Sequence, residues 1–454
     1  MKPRILKGFR DYLPADMLLR QRVIGDFRTL FERHGYEPLD TPAIEHLDIL
    51  TGKAGENEKL MYRFLDGGER EVGLRYDLTV PLARVAAMHQ NDLPMPFKRY
   101  HIAPVWRAEK PQRGRFREFW QCDADVVGSA SPLADAEHIA MAVEAMLGLG
   151  LPDFTVRVNH RVLLEGIARH AGVPADRAGG VYRSIDKLDK VGRDGVRGLL
   201  IEAGIAEDAS DRVLDLTSLD GSPDQVLATL RERMVGDEAV SVALGQLDEI
   251  FTAAGDFSVP AGRVMLDLSL ARGLDYYTGA VFEAVVERPK VGSIAGGGRY
   301  DGLVGSMSGQ AVPATGISLG LERILEVVRE FDLLTVPTTT AHAFVAHVPV
   351  ARSAAIGVAT TLRKAGVPTD LSLLGHRGIG DQLKYAARKG IPLGIILGSD
   401  EVAAGQAFVR DLATGEQSRV PLDDLPGAVR DVLGRSGTTD DAAVVAAFVE
   451  NDES

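Results

Sequence analysis

The chain has a single cysteine, Cys122, among 454 residues. That excludes an internal disulfide framework and any metal site built on paired cysteines. Long apolar runs are missing too: no stretch approaches the roughly 18 residues that a membrane span needs. The opening MKPRILKGFRDYLPADM has no apolar segment behind its basic residues, so no secretory signal is visible and the cytoplasm is the expected compartment. No GxGxxG follows a strand pattern, and neither a Walker A sequence nor HExxH occurs. Internal repeats are absent. So is any excess of base: the formal net charge is −13, which taken alone does not suggest a nucleic-acid partner. Net charge governs solubility and steering, however, whereas binding needs only a local basic surface. Much of the acid lies in the tail after Arg435, where Asp440, Asp441, Glu450, Asp452 and Glu453 have no base to offset them.

What is present is globular. Hydrophobic residues make up 45% and charged residues 25%, and the length predicts two or three domains. Leu19, Val23, Phe27, Leu30 and Phe31 recur at helical spacing over 16–34, with Gly35 as the stop. EVGLRYDLTVPLARVAAM reads as a strand and then a helix started by Pro81. FKRYHIAPVWRAEKPQRGRFREFWQCDADVVG reads as a strand, a polar loop at 109–115 and a second strand, with the turn chemistry of a long hairpin. A helix is expected over 133–147. Residues 160–255 alternate helical patterns with Gly and Asp breaks, which predicts a helical insertion. After the Thr/Pro-rich linker at 326–340, short apolar strands alternate with helices over 341–434, the rhythm of a small doubly wound α/β domain.

Residues 272–301 are the least ordinary stretch. A buried strand pair normally runs on Val, Ile and Leu, but this one crowds Arg272, Asp275, Tyr276, Tyr277, Thr278, Arg299, Tyr300 and Asp301 around Gly296, Gly297 and Gly298. Glycine there lets backbone approach a ligand closely. The segment therefore reads as the floor of a small-molecule site.

RGLDYYTG followed by GGGRYDGL resembles the two histidine-specific motifs of the histidyl-tRNA synthetase family, a class II aminoacyl-tRNA synthetase group. The resemblance runs from KGFRDYLP near the start to the 341–434 domain. It implies an α+β fold: a class II catalytic domain over 1–325 on an antiparallel sheet, a helical insertion at 160–255, a small α/β anticodon-binding domain at 341–434 and an acidic tail at 435–454. It also implies a cytoplasmic homodimer that uses ATP and Mg²⁺ to activate histidine and then charges tRNA(His). Motif 1 resembles the first long helix plus GYEPLDTP with Pro42, and mostly serves the dimer interface.

The family's site residues carry over one by one. Arg107 and Arg115, flanking the hairpin loop, would contact the α-phosphate and the β/γ-phosphates of ATP. Gly316 and Gly320 in GISLGLERI would let adenine lie against backbone, and Arg323 would hold the γ-phosphate end. Arg272 would touch both the substrate carboxylate and the α-phosphate. Arginine suits these positions because its fork binds oxyanions bidentately and stays charged. For histidine, Asp77 and Thr79 would receive the α-amino group and Gln121 would hold the carboxylate side. Asp125 and Tyr277 would take the imidazole nitrogens, while Tyr276 and Tyr300 wall the pocket. Many bacterial members have Glu where Asp77 and Asp125 stand. In the last domain Lys384, Arg388 and Lys389 share a helix end and are candidate tRNA contacts. No metal ligand is assigned.

Plainer readings exist for each element. A lone Arg on a polar hairpin is more often solvated than catalytic, and LERILEVVR is a common surface-helix pattern with Glu322 and Arg323 outward. Basic residues at 384–389 equally complement a helix dipole. Cys122, with no spaced His partner, reads as a buried strand residue. Two rival functions keep the fold but not the reaction: a synthetase-like regulatory subunit of ATP phosphoribosyltransferase, and a sensor module that binds uncharged tRNA. The intact motif arginines and the anticodon-type domain favour the synthetase.

Overall fold

The computed structural model describes residues 2–51, 55–271 and 276–435. The chain divides into two compact units, Met1–Asp11 with Arg20–Leu334 and Tyr12–Leu19 with Thr335–Ser454.

The first unit is organised by one eight-stranded sheet. Its strands are β1 (Glu37–Pro38) and, after a small sheet of β2 (Ile44–His46), β3 (Arg63–Leu65) and β4 (Glu71–Leu74), the strands β5 (Phe97–Trp106), β6 (Glu118–Val127), β7 (Phe154–His160), β8 (Val264–Leu266), β9 (Ala280–Val286), β10 (Ser293–Arg299) and β11 (Ala314–Gly320). The order is β1-β5-β6-β11-β10-β9-β7-β8. All six strands from β5 across to β7 pair antiparallel, and the two outermost pairings are parallel. The α+β expectation holds.

The long hairpin forms as its sequence predicts, with ten cross-strand pairs between β5 and β6. Its polar loop turns through Gly114 at φ +66°, a left-handed value that glycine adopts without strain. The helix expected over 133–147 is Pro132–Gly148, entered through Ser131, whose side chain accepts from the N–H of Leu133. The expected Pro81 start is incorrect. That helix is Thr79–Met88, because the Asp77 carboxylate accepts the Val80 N–H at 3.0 Å and opens the helix two residues earlier. Between β7 and β8 come six α-helices from Arg161–His170 to Glu238–Asp256 and a short 3-10 helix, and several of them bury Leu164, Val181, Ile185, Val196, Leu200 and Val213 in a core of their own.

The second unit holds β12 (Ala343–His347), β13 (Thr369–Leu371), β14 (Leu393–Leu397), β15 (Gln406–Asp411) and β16 (Gln417–Pro421), in the order β13-β12-β14-β15-β16. Both faces of β12 are covered, as period-2 alternation requires. Ala343 and Val345 join one core with Ala355, Val358 and Leu362 of helix Arg352–Lys364. Phe344 and Ala346 join another with Ala386 of helix Ile379–Lys389. Strands β13, β12 and β14 are parallel, whereas β15 and β16 add two antiparallel strands that the doubly wound expectation did not include. QAFVRD and QSRVP are half polar, so they lack the apolar run that marks a strand buried on both faces.

Close approach within the large sheet rests on β10. A Cβ at Gly297 would sit 2.2 Å from the Gly316 carbonyl oxygen and 2.5 Å from the Phe282 ring. Gly297→Ala should therefore destabilise the first unit by about 3 kcal/mol, typical of severe overpacking. Thermal melting of wild type and variant checks this, and an unchanged midpoint would contradict it.

Candidate active site

Strand alternation places the chemistry. On β6, Gln121, Asp123 and Asp125 share one face, while Cys122, Ala124 and Val126 turn to the other. Cys122 is fully buried, and burial pushes its thiol well above the usual range, in line with an inert strand residue. Register extends the polar face across three strands. Arg99, Asp125 and Gly316 form one row, His101, Asp123 and Ser318 the next, and Ala103, Gln121 and Gly320 the third. The glycines leave the room: a Cβ at Gly316 would fall 2.0 Å from Asp125 Oδ1.

Beside this face opens a cavity of about 290 Å³, lined among others by Arg107, Arg115, Gln121, Tyr276, Tyr277 and Arg323. Six sequence-predicted residues thus converge from β6, the hairpin loop, the segment before β9 and the helix after β11. Gly320 and Gly296 line it as well, with Glu109, Ser318 and Glu322. Asp77, Thr79, Asp125, Gly316 and Tyr300 are not part of its lining. Asp77, Asp125 and Tyr300 are buried. Arg272 lies outside the described residues.

The buried carboxylates form an electrostatic layer. Asp125 pairs with the fully buried Arg99 at 2.9 Å and accepts the hydroxyl proton of Tyr300. Burial raises the Asp125 carboxyl, against the opposing Arg99 charge and Tyr300 bond. Asp123 is pushed up to about 8 by burial and the Asp125 charge, while Arg99 and a hydrogen bond from Ser318 act the other way. Burial raises Asp77 too, opposed by the Val80 N–H and by Arg107. The neighbouring His101 bonds Asp40 at 3.0 Å and is driven down to about 3 by burial and by Arg99, so it is neutral at physiological pH. Arg99, His101, Gln121 and Asp123 each keep at least one buried polar atom without a hydrogen-bond partner, an arrangement costly to a fold and common in binding sites. Tyr276 and Tyr277 stand 4.6 Å apart between ring centres, and burial pushes the Tyr277 phenol up to about 12.

The arginine side is braced by acids. Arg115 pairs with Glu109 at 3.0 Å. Arg113 ties the hairpin loop to helix Leu321–Glu330 through Glu326 at 3.0 Å and Glu330 at 2.9 Å. Arg107 donates to the Tyr76 carbonyl at 2.8 Å, and its guanidinium lies 5.1 Å from the Phe119 ring centre. Arg323 donates to the Ser293 carbonyl. The surface-helix reading of LERILEVVR fails at Glu322, which is buried and accepts from Arg20 at 2.6 and 3.0 Å and from the Trp120 N–H at 3.3 Å. Arg299, expected in the site floor, turns instead to the buried Asp135 of helix Pro132–Gly148. Its place in β10 puts it on the face opposite Gly298, which shares the row of Gly316.

In the second unit, Lys384 pairs with Asp381 at 3.3 Å and Lys389 with Asp370 at 2.7 Å. Arg388 is exposed on the same helix end. Sequence reasoning missed Arg99, Asp123, Ser318 and Glu322. Asp123 was legible as the middle of a period-2 Gln-x-Asp-x-Asp pattern, whereas Arg99 and Ser318 become visible only through strand register.

Comparison with known proteins places this geometry. Residues 8–324 match the histidyl-tRNA synthetase family model, and residues 342–432 match an anticodon binding domain. A histidine–tRNA ligase of Aeropyrum pernix is 44% identical, covering 95% of this chain and 99% of that protein. The crystal structure of histidyl-tRNA synthetase from Nostoc sp. PCC 7120 superposes with a TM-score of 0.85 at 33% identity, covering 95% of this chain and all of that one. A structure from Bacillus halodurans C, described as an ATP phosphoribosyltransferase regulatory subunit/histidyl-tRNA synthetase, has a TM-score of 0.75 at 23% identity and shares the fold. With both family models matched in order along one chain, this protein belongs to the histidyl-tRNA synthetase family.

Proposed function

We infer that the chain joins histidine to tRNA(His) in two steps. The histidine carboxylate attacks the α-phosphorus of ATP and pyrophosphate leaves, giving histidyl-adenylate. A ribose hydroxyl of the tRNA's 3′-terminal adenosine then attacks the activated carbonyl, and AMP leaves. The observation that carries this reading is the convergence of Arg107, Arg115 and Arg323 on one cavity with Gln121 and the tyrosine pair, in a chain of this family.

Two anions must meet in the first step, so alignment and positive charge do most of the work. Arg107 and Arg272 would hold the α-phosphate, Arg272 reaching the carboxylate as well. Arg115 and Arg323 would hold the outer phosphates, with adenine against Gly316 and Gly320. Asp77 and Thr79 would take the α-ammonium, and Gln121 the carboxylate side. Asp125 and Tyr277 would serve the two imidazole nitrogens, one donor and one acceptor, with Tyr276 and Tyr300 behind them. Such paired hydrogen bonds reject isosteres far better than an apolar pocket does. Mg²⁺ would enter with ATP and neutralise phosphate charge. Among the described residues no group of three His, Cys, Asp or Glu could hold a metal ion, so the fit to a protein-built metal cage is poor.

In the second unit Lys384, Arg388 and Lys389 would meet tRNA phosphates. A cytoplasmic homodimer fits the family and the motif 1 segment around Pro42. No described helix is long and apolar enough to cross a membrane. The alternative regulatory-subunit reading is disfavoured by the three phosphate-side arginines and by the anticodon-binding domain at 342–432.

Charging of tRNA(His) with labelled histidine tests the whole reaction, and failure with a fully modified tRNA would overturn the proposal. Arg272→Ala should lower the single-turnover rate of adenylation by about 100-fold or more, as loss of a transition-state charge does, while histidine affinity changes much less. A near wild-type rate would remove Arg272 from the chemistry. Replacing Lys384, Arg388 and Lys389 together by Ala should raise KM for tRNA and flatten its salt dependence, with pyrophosphate exchange untouched. An unaltered salt dependence would take this helix end out of the tRNA interface.

A further inference from the structure

We propose that Arg113, bridged to Glu326 and Glu330, is a positioning residue that holds the hairpin loop closed so that Arg115 and Arg323 face one triphosphate. The proposal rests on the histidine-activation reading above. Arg113 Nε donates to Glu326 Oε2 at 3.0 Å, and Nη2 donates to Glu330 Oε2 at 2.9 Å. Arg323, Glu326 and Glu330 follow at i, i+3 and i+7, which puts all three on one face of helix Leu321–Glu330. A guanidinium can meet two carboxylates from one edge of its fork, where an ammonium offers a single point. Neither Arg113 nor its two glutamates belong to the cavity lining, so the bridge acts on the site from outside.

The base of the loop is pinned by backbone bonds. Arg107 N–H donates to the Arg117 carbonyl and Ala108 N–H to the Leu60 carbonyl, both at 2.8 Å. The tip is a tight turn in which Gln112 and Arg115 exchange backbone hydrogen bonds at 3.0 and 2.9 Å, so Arg113 and Arg115 move as one piece. Gly114 packs against the helix: a Cβ there would lie 3.0 Å from Arg323 Cγ. Closure therefore brings Arg115 onto a cavity that Arg107 and Arg323 also line, and like charges resist that approach. Glu326 and Glu330 counter the repulsion by holding the tip down. A loop already closed in the empty protein enlarges the fraction ready for ATP, and apparent affinity rises by the same factor.

Calorimetric dissociation constants for ATP and AMP test this on the full-length protein, since AMP lacks the two phosphates assigned to Arg115 and Arg323. Arg113→Ala should weaken ATP by about fivefold, the size expected of two partly exposed ion pairs. AMP should bind as it does to wild type. Glu326→Gln combined with Glu330→Gln should weaken ATP by a similar factor. The sign is decisive. Loss of two negative charges near a polyanion tightens binding on Coulomb grounds alone, and only a broken bridge weakens it. Adding Arg113→Ala to the glutamate pair should weaken ATP no further, because both changes break the same contacts. If Arg113→Ala weakens ATP while the glutamate pair leaves it unaltered or tighter, Arg113 meets the phosphates itself and the bridge is overturned. Losses that fall equally on AMP would overturn it too. A wild-type protein that binds no ATP would sink the parent reading, whereas ATP binding unaltered in the variants would sink the bridge alone.

Discussion

Three neighbouring carboxyls, Asp77, Asp123 and Asp125, are buried, and the fully buried Arg99 guanidinium pairs with Asp125. Taking charge out of water costs several kcal/mol per ion unless it is paired, so this layer dictates much around it. Arg99 must reach Asp125, which sets the β5–β6 register. Gly316 must lack a side chain, or Asp125 has nowhere to go. Tyr300 must turn its hydroxyl inward. Burial raises all three carboxyls; a cationic ligand beside them would favour their charged forms, and histidine brings an ammonium and an imidazole. A fold optimised only for stability would have filled this space with apolar side chains at lower cost.

The arginine side, proposed to take the triphosphate, uses the opposite sign and a different logic. Arg115 is partnered by Glu109, and Arg113 by Glu326 and Glu330. These pairs are partly exposed, so each is worth little and is easily exchanged. An incoming triphosphate would replace the glutamate on Arg115 while the Arg113 pairs keep the loop attached to its helix. Glu322 and Arg20 are a different case. They are buried together, with Arg10 adding a second, partly exposed guanidinium 3.3 Å from Glu322.

Much of this was legible in the sequence, for physical reasons. Helix Ile379–Lys389 forms where Lys384, Arg388 and Lys389 predicted a helix end, because Gly390 at φ +80° is a strong stop. Helix Pro14–Arg33 ends as predicted before Gly35, at φ +74°. Arg107, Arg115, Gln121, Tyr276, Tyr277 and Arg323 converge on one cavity because their motifs carry chemistry unsuited to a plain core. What the linear pattern could not supply was pairing across strands. Nothing in FKRYHIAP says that Arg99 lies opposite Asp125, or that Glu322 looks inward to an arginine 302 residues away. The start of helix Thr79–Met88 was misplaced because Pro81 is a strong signal on its own, while the Asp77 cap depends on a side-chain direction. Strands β15 and β16 went unread because both are half polar and carry no apolar run.

The most direct test of the account is histidine-dependent exchange of label between pyrophosphate and ATP, with each of the other amino acids as a control. The account predicts exchange with histidine alone, before any tRNA is added. Measurable histidine binding without exchange would contradict it, and would place the chain with proteins that keep this fold to sense histidine instead of activating it.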